Sequence, residues 1–170
     1  HHRVRHMSVN LSPLQLADPE LPGELHAILR EFGILPGQLE LEITEGALIR
    51  DMDAAIERLA SLRNLGVAIA LDDFGVGYSA LSYLSRLPFD TLKIDKSFVF
   101  AFGVERPALA IATAIVALAQ ALDKRVVAEG VETLAQATLL ETLGVQELQG
   151  YLYGKPQTAA ELKALWATAE

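Results

Sequence analysis

The chain has 170 residues, an apolar share of 51% and a net charge of −8. That length is about one domain's worth, and the composition excludes a disordered chain. The absence of cysteine excludes a disulfide scaffold, a thiolate zinc site and cysteine catalysis, while the acidic balance argues against electrostatic binding of DNA or RNA.

In chain order, His1 to Met7 shows no apolar rhythm and reads as a tag or cloning remnant, leaving one domain over residues 8–170. Strand-like runs follow at Ser8–Leu11, Leu39–Ile43, Val67–Leu71, Thr91–Ile94, Val126–Ala128 and Gln146–Gln149. Between them lie helical patterns near Glu20–Phe32, Asp51–Leu65, Ser79–Leu87, Pro107–Leu122 and Leu134–Leu143, with Ala159–Ala169 last. Gly33, Gly66 and Gly144 stand where helices should stop, and Pro88 follows another helix end. The most apolar stretch, Ala108 to Leu122, contains Thr113 and Gln120 and falls short of the roughly 20 residues a bilayer requires. No membrane segment is expected, and a cysteine-free chain fits a cytoplasmic location.

Strands alternating with helices imply βαβ units, a parallel sheet and the α/β class. The strands end on Asn10, Glu42, Asp72, Lys93, Glu129 and Gln149. In a barrel or open α/β sheet, the C-terminal strand ends converge where active sites are built. Closed eight-stranded barrels usually take about 200 residues or more. Six units therefore look like an eight-stranded barrel with two strands missing.

Each polar strand end has a plain structural explanation when taken singly. Glu42 or Glu45 suits the first turn of a helix, Asp72 or Asp73 suits an N-cap, and Lys93 with Asp95 suits an ion pair. Jointly they make a ring of carboxylates with one lysine, which is the chemistry of a divalent-metal site. The neighbours Asp72 and Asp73 would repel each other unless a cation sits between them. Hard oxygen donors of this kind suit Mg²⁺ or Mn²⁺, and two ions about 3.5–4 Å apart would support phosphoester hydrolysis. Gly75-Val76-Gly77 follows two acids and is no phosphate loop, and His26 has no serine elbow to serve.

Six ordered segments carry a resemblance: Val9-Asn10-Leu11-Ser12, Glu42-Ile43-Thr44-Glu45, Asp72-Asp73-Phe74-Gly75-Val76-Gly77-Tyr78-Ser79, Lys93-Ile94-Asp95, Ala128-Glu129-Gly130-Val131-Glu132-Thr133 and Gln149-Gly150-Tyr151. Together the chain resembles the EAL-domain family of bacterial cyclic-di-GMP phosphodiesterases. The resemblance implies a modified TIM (β/α)8-type barrel, here with about six of its eight strands present, whose mouth binds cyclic di-GMP and two Mg²⁺ or Mn²⁺ ions and yields linear 5′-pGpG. By the family's pattern, Asn10, Glu42 and Asp72 are ligands of the first ion. Asp72 would bridge to the second ion, which Asp73 completes. Glu129 corresponds to a carboxylate beside the second metal and to the general base, and Lys93 to the lysine holding the attacking water or the phosphate. Glu132 and Gln149 match supporting positions. Glu45 matches the glutamate that anchors the loop after Asp73.

Two departures accompany the resemblance. Val76 and Ala80 stand where the family usually shows threonine or alanine, and serine. The signature Glu-Ala-Leu, which carries a further metal ligand, precedes Asn10 in the family, so the sequence is expected to lack the domain's first two strands. A protein of these residues alone is then expected to bind divalent ions weakly and to associate through open sheet edges as a homodimer. The parent is expected to add sensor or GGDEF domains. The alternative reading is a catalytically silent domain that acts as a cyclic-di-GMP receptor or a protein-interaction module.

Overall fold

The computed structural model describes residues 6–48, 51–75, 81–102 and 106–167. Six parallel strands stand in chain order in one sheet: β1 (Met7–Asn10), β2 (Leu39–Thr44), β3 (Ala68–Phe74), β4 (Thr91–Ile94), β5 (Arg125–Ala128) and β6 (Glu147–Leu148). The sheet curls into half a barrel. The helices are α1 (Pro13–Ala17), α2 (Leu21–Glu31), α3 (Glu45–Leu48), α4 (Met52–Asn64), α5 (Leu81–Leu84), α6 (Lys96–Phe100), α7 (Arg106–Ala121), α8 (Leu134–Leu143) and α9 (Ala159–Ala167). Parallel neighbours need long crossovers, and helices supply them.

Alternation along the strands divides the sheet's two faces. Leu41 and Ile43 of β2, Ile69 and Leu71 of β3, Leu92 and Ile94 of β4 and Val126 of β5 are buried in the main core with Leu59 and Leu62 of α4, Ala112 and Ala119 of α7 and Leu140 of α8. Each such Leu or Ile removed from water contributes roughly 2 kcal/mol. The other face carries Glu40 and Glu42, Asp72, and Thr91 with Lys93. These polar groups are themselves buried, so the inside of the curl is a polar interior.

All six strands predicted from the sequence are present, β4 with the predicted bounds and the others with altered ends. β1 begins at Met7, one residue inside the segment read as a tag. β3 runs on through Asp72 and Asp73 to Phe74 instead of ending at Leu71, and β6 shrinks to two residues. Three helices too short to show a periodicity of their own, α1, α3 and α6, are four or five residues long. Helix α8 stops where Gly144 adopts φ 92°, a left-handed conformation that only glycine enters cheaply, and its N–H satisfies carbonyls of Leu140 and Glu141. Residues Val76, Gly77, Tyr78, Ser79 and Ala80 lie outside the described residues, as do His1 to Arg5 and Ala169.

Candidate functional site

Two consecutive strand residues normally point to opposite faces, so adjacent acids should not share a site. β3 solves this with an extra residue. Its pairing with β4 runs Ala70 to Thr91 and Leu71 to Leu92, then jumps to Phe74 against Ile94. Asp72 and Asp73 together therefore fill the span opposite Lys93, while Phe74 returns to the helix-side core at 4% exposure. Asp73 takes φ 53°, and its N–H donates to Asp72 Oδ1 at 3.0 Å. A left-handed non-glycine residue is strained and, at a site, a mark of function.

Lys93, on central strand β4, is 3% exposed. Its Nζ lies 2.7 Å from Glu42 Oε1, 3.2 Å from Asp72 Oδ1 and 2.6 Å from Glu129 Oε1. One ammonium thus gathers carboxylates from β2, β3 and the end of β5. Burial alone would lower its pKa. The hydrogen bonds to Glu129 and Glu42, with the charges of Glu129 and Asp72, outweigh burial and hold Lys93 protonated, above its ordinary value.

Two acids of the mouth, Glu129 and Asp73, are shifted upward. Burial pushes Glu129 up, the Lys93 hydrogen bond and charge pull it down, and the Asp72 and Glu42 charges add to burial, leaving it raised. Asp73 is raised by partial burial, then by the charges of Asp72 and Asp95 and a hydrogen bond to Asp95. Asp95 goes the other way. Its burial is outweighed by hydrogen bonds from Ser97, then by those from Asp73 and the Lys96 N–H. Its Oδ1 accepts from the Ser97 N–H at 2.9 Å, capping α6. The ion pair with Lys93 suggested by their spacing is therefore replaced by a helix cap, with Asp73 alongside.

Carboxylate oxygens of Asp72, Asp73 and Glu129 all lie within 4.8 Å of one another. Acids that close form a hard-oxygen donor set that fits a divalent cation such as Mg²⁺ or Mn²⁺. Asn10 ends β1 in register with Glu42, and the following Leu11 N–H donates to the Glu42 carbonyl at 2.8 Å. Beside the acids opens a cleft of about 390 Å³ lined by Lys96, Phe100, Glu129, Glu132, Gln149 and Tyr151. Gln149 and Glu132 are exposed on its wall. Glu45 is buried at the start of α3, directly after β2. The loop it was expected to anchor begins at Val76 and is outside the described residues.

The wall is fixed by close packing of backbone on backbone. The Val131 N–H donates to the Gln149 carbonyl at 3.0 Å, and the Leu152 N–H donates to the Val131 carbonyl at 3.0 Å. Gly150 passes between them, and a Cβ there would collide with the Val131 backbone.

Residues 1–156 match the family profile described as the EAL domain. Over 163 residues the chain is 44% identical to the bifunctional diguanylate cyclase/cyclic di-GMP phosphodiesterase MucR of Pseudomonas aeruginosa, covering 96% of the chain and 24% of that protein. It superposes on the structure of the MucR phosphodiesterase in complex with cyclic di-GMP with a TM-score of 0.89, covering 92% of the chain and 64% of that one. The manganese and cyclic-di-GMP complex of BlrP1 from Klebsiella pneumoniae is 36% identical with a TM-score of 0.82, covering 89% of the chain and 39% of that one. The chain spans only about a fifth to a quarter of the length of the curated relatives it matches.

Proposed function

The chain belongs to the EAL-domain family, and from that premise we propose that it hydrolyses one phosphodiester bond of cyclic di-GMP to give linear 5′-pGpG, using two Mg²⁺ or Mn²⁺ ions. The observation that carries the reading is the buried Lys93 ammonium in contact with Glu42, Asp72 and Glu129, with Asp73 brought alongside by the bulge in β3. Asn10, Glu42 and Asp72 would hold one ion, and Asp72, Asp73 and Glu129 the other. Such ions, when bound, activate water and neutralise the charge that develops on phosphate.

The remaining roles belong to the side chains. Glu129, raised by burial, is suited to accept the proton of the attacking water, since a general base works best with a pKa nearer the working pH. Lys93 stays charged and orients that water or the phosphate. Glu132 and Gln149 line the cleft and position what enters it. For a protein of these residues alone, a homodimer is proposed on the exposed edge of the sheet, where Met7 and Val9 of β1 are 57% and 45% exposed. Among the described residues no helix is long and apolar enough to cross a membrane, and the cytoplasmic location remains a proposal.

The test is hydrolysis of cyclic di-GMP by the protein in its native full length. Turnover is expected with Mg²⁺ or Mn²⁺, to vanish in excess EDTA, and to fall at least about a hundredfold in Asp72→Asn. Unchanged turnover in EDTA would remove the metal mechanism, and tight binding without hydrolysis would favour the silent receptor.

A further inference from the structure

We propose that Glu40, Thr91 and Arg125, with Ser8 at their side, form a positioning layer that keeps the strands bearing Glu42, Lys93 and Glu129 in register for the reaction at the mouth. The inference rests on reading that mouth as a metal-dependent hydrolytic site. None of these four side chains lines the mouth; they sit one side-chain layer below it, inside the curl.

Glu40 is 3% exposed and Thr91 fully buried. Thr91 Oγ1 donates to Glu40 Oε1 at 2.7 Å. Arg125 Nη2 donates to both, at 3.1 Å to Glu40 Oε1 and 2.9 Å to Thr91 Oγ1. Ser8 Oγ donates to Glu40 Oε2 at 3.2 Å, where His6 Nε2 also approaches to 3.4 Å. Arg125 Nη1 reaches outward to Glu147 Oε1 at 2.9 Å. A single buried carboxylate therefore ties β1, β2, β4 and β5 together.

The placement follows from the two-residue period of a strand. Ser8 precedes Asn10 by two, Glu40 precedes Glu42 by two, and Thr91 precedes Lys93 by two. The Glu40–Thr91 bond and the Glu42–Lys93 pair are successive rungs between the same two strands, β2 and β4. Both cross β3, whose residues before Asp72 on that face are Ala68 and Ala70. Two alanines leave the space that a glutamate needs to reach the next strand but one. Sliding β2 against β4 breaks both rungs at once. The network is buried at Glu40 and Thr91 and opens to solvent at Ser8 and at Arg125, which is 44% exposed. An ionic network of this kind adds little net stability but can specify register. A catalytic constellation needs placement to about 0.5 Å, which such a network can enforce.

The experiment compares Thr91→Val, Glu40→Gln, Thr91→Ser and the helix-layer control Leu29→Val in the full-length protein. Mn²⁺ binding is read by calorimetry with the metal alone, and kcat and KM for cyclic di-GMP at saturating Mn²⁺. Thr91→Val and Glu40→Gln are expected to lower kcat tenfold or more and to weaken Mn²⁺ binding severalfold, with KM within twofold. Thr91→Ser, which keeps the hydroxyl, should restore kcat to within twofold, and Leu29→Val should leave it unchanged. If Thr91→Val does not fold, Glu40→Gln carries the test at the same thresholds. Normal hydrolysis by the unmodified protein, with kcat and Mn²⁺ affinity in these two variants within twofold of it, overturns the positioning role. So does a loss that Thr91→Ser shares. An unmodified protein that neither binds Mn²⁺ nor hydrolyses cyclic di-GMP overturns the functional reading and the positioning role with it.

Discussion

Lys93 is a cation that three acids have in common, so its removal is felt by all of them. Lys93→Met leaves the buried Glu42 and Asp72 and the half-buried Glu129 mutually repelling. Breaking a buried pair in this way typically costs about 3–5 kcal/mol. The metal-free variant is expected to lose stability on that scale in urea denaturation at pH 7, and saturating Mn²⁺ should restore part of it by supplying the missing positive charge. A loss below about 1 kcal/mol would show that the contacts at Nζ contribute little. Two neighbours of this lysine were not legible as they stand. Asp95 reads from its spacing as a partner for Lys93, yet the adjacent Lys96–Phe100 helix needed a cap and took it. Glu40 sits in Leu39-Glu40-Leu41-Glu42, whose alternation reads as one dry face and one polar one. Alternation says which residues share a face, but not that the polar face is sealed by the curl of the sheet.

At the scale of elements, the strands were legible because their helix-side residues form apolar runs and the helices between them keep their period. What escaped were helices too short for periodicity to register: α1, α3 and α6 are held by caps and neighbours. Local chemistry did mark one of them, since Ser12 and Gln15 form a capping box around the first turn of α1. The cleft wall was legible only as a motif, Gln149-Gly150-Tyr151, because its cause is a contact between chain segments. Gly150 crosses the Val131 backbone so closely that no side chain fits. Gly150→Ala is therefore expected to force the two segments apart at a cost of about 1–3 kcal/mol. Gln149 should move with them, and its segment should lose protection in amide exchange at Val131 and Leu152, whose N–H groups make the bridging bonds. Unchanged exchange at both amides would mean the wall adjusts without opening.

Across the whole molecule, the acidic mouth couples metal, pH and stability. Asp73 and Glu129 have pKa values raised above their ordinary 3.8 and 4.5. A carboxyl raised on folding binds its proton more tightly in the folded state, so its stabilisation is complete below the ordinary value and is lost as pH rises through the raised one. Asp95, lowered on folding, acts in reverse: its contribution is present above 3.8 and is lost as pH falls through its depressed value. Divalent ions held as proposed would bind the ionised acids and oppose the loss at Asp73 and Glu129. The gap in Tm between Mn²⁺ and EDTA is therefore expected to widen from about pH 4 to pH 7, and to shrink at every pH in Asp72→Asn. A gap independent of pH would place the ion elsewhere. A last consequence lies in the extra residue of β3. A strand counts in twos, like a wave with a fixed phase, and the bulge between Leu71 and Phe74 delays that phase by one step. The delay belongs to the length of the segment and not to its lettering. An exchange of Leu71 for another aliphatic residue keeps the phase, whereas loss of Leu71 swings Asp72 into its place in the oily layer under the helices, and loss of either acid removes the delay and leaves the mouth one carboxylate short. In this part of the chain the apolar spelling is negotiable, and the two acids and the length are not.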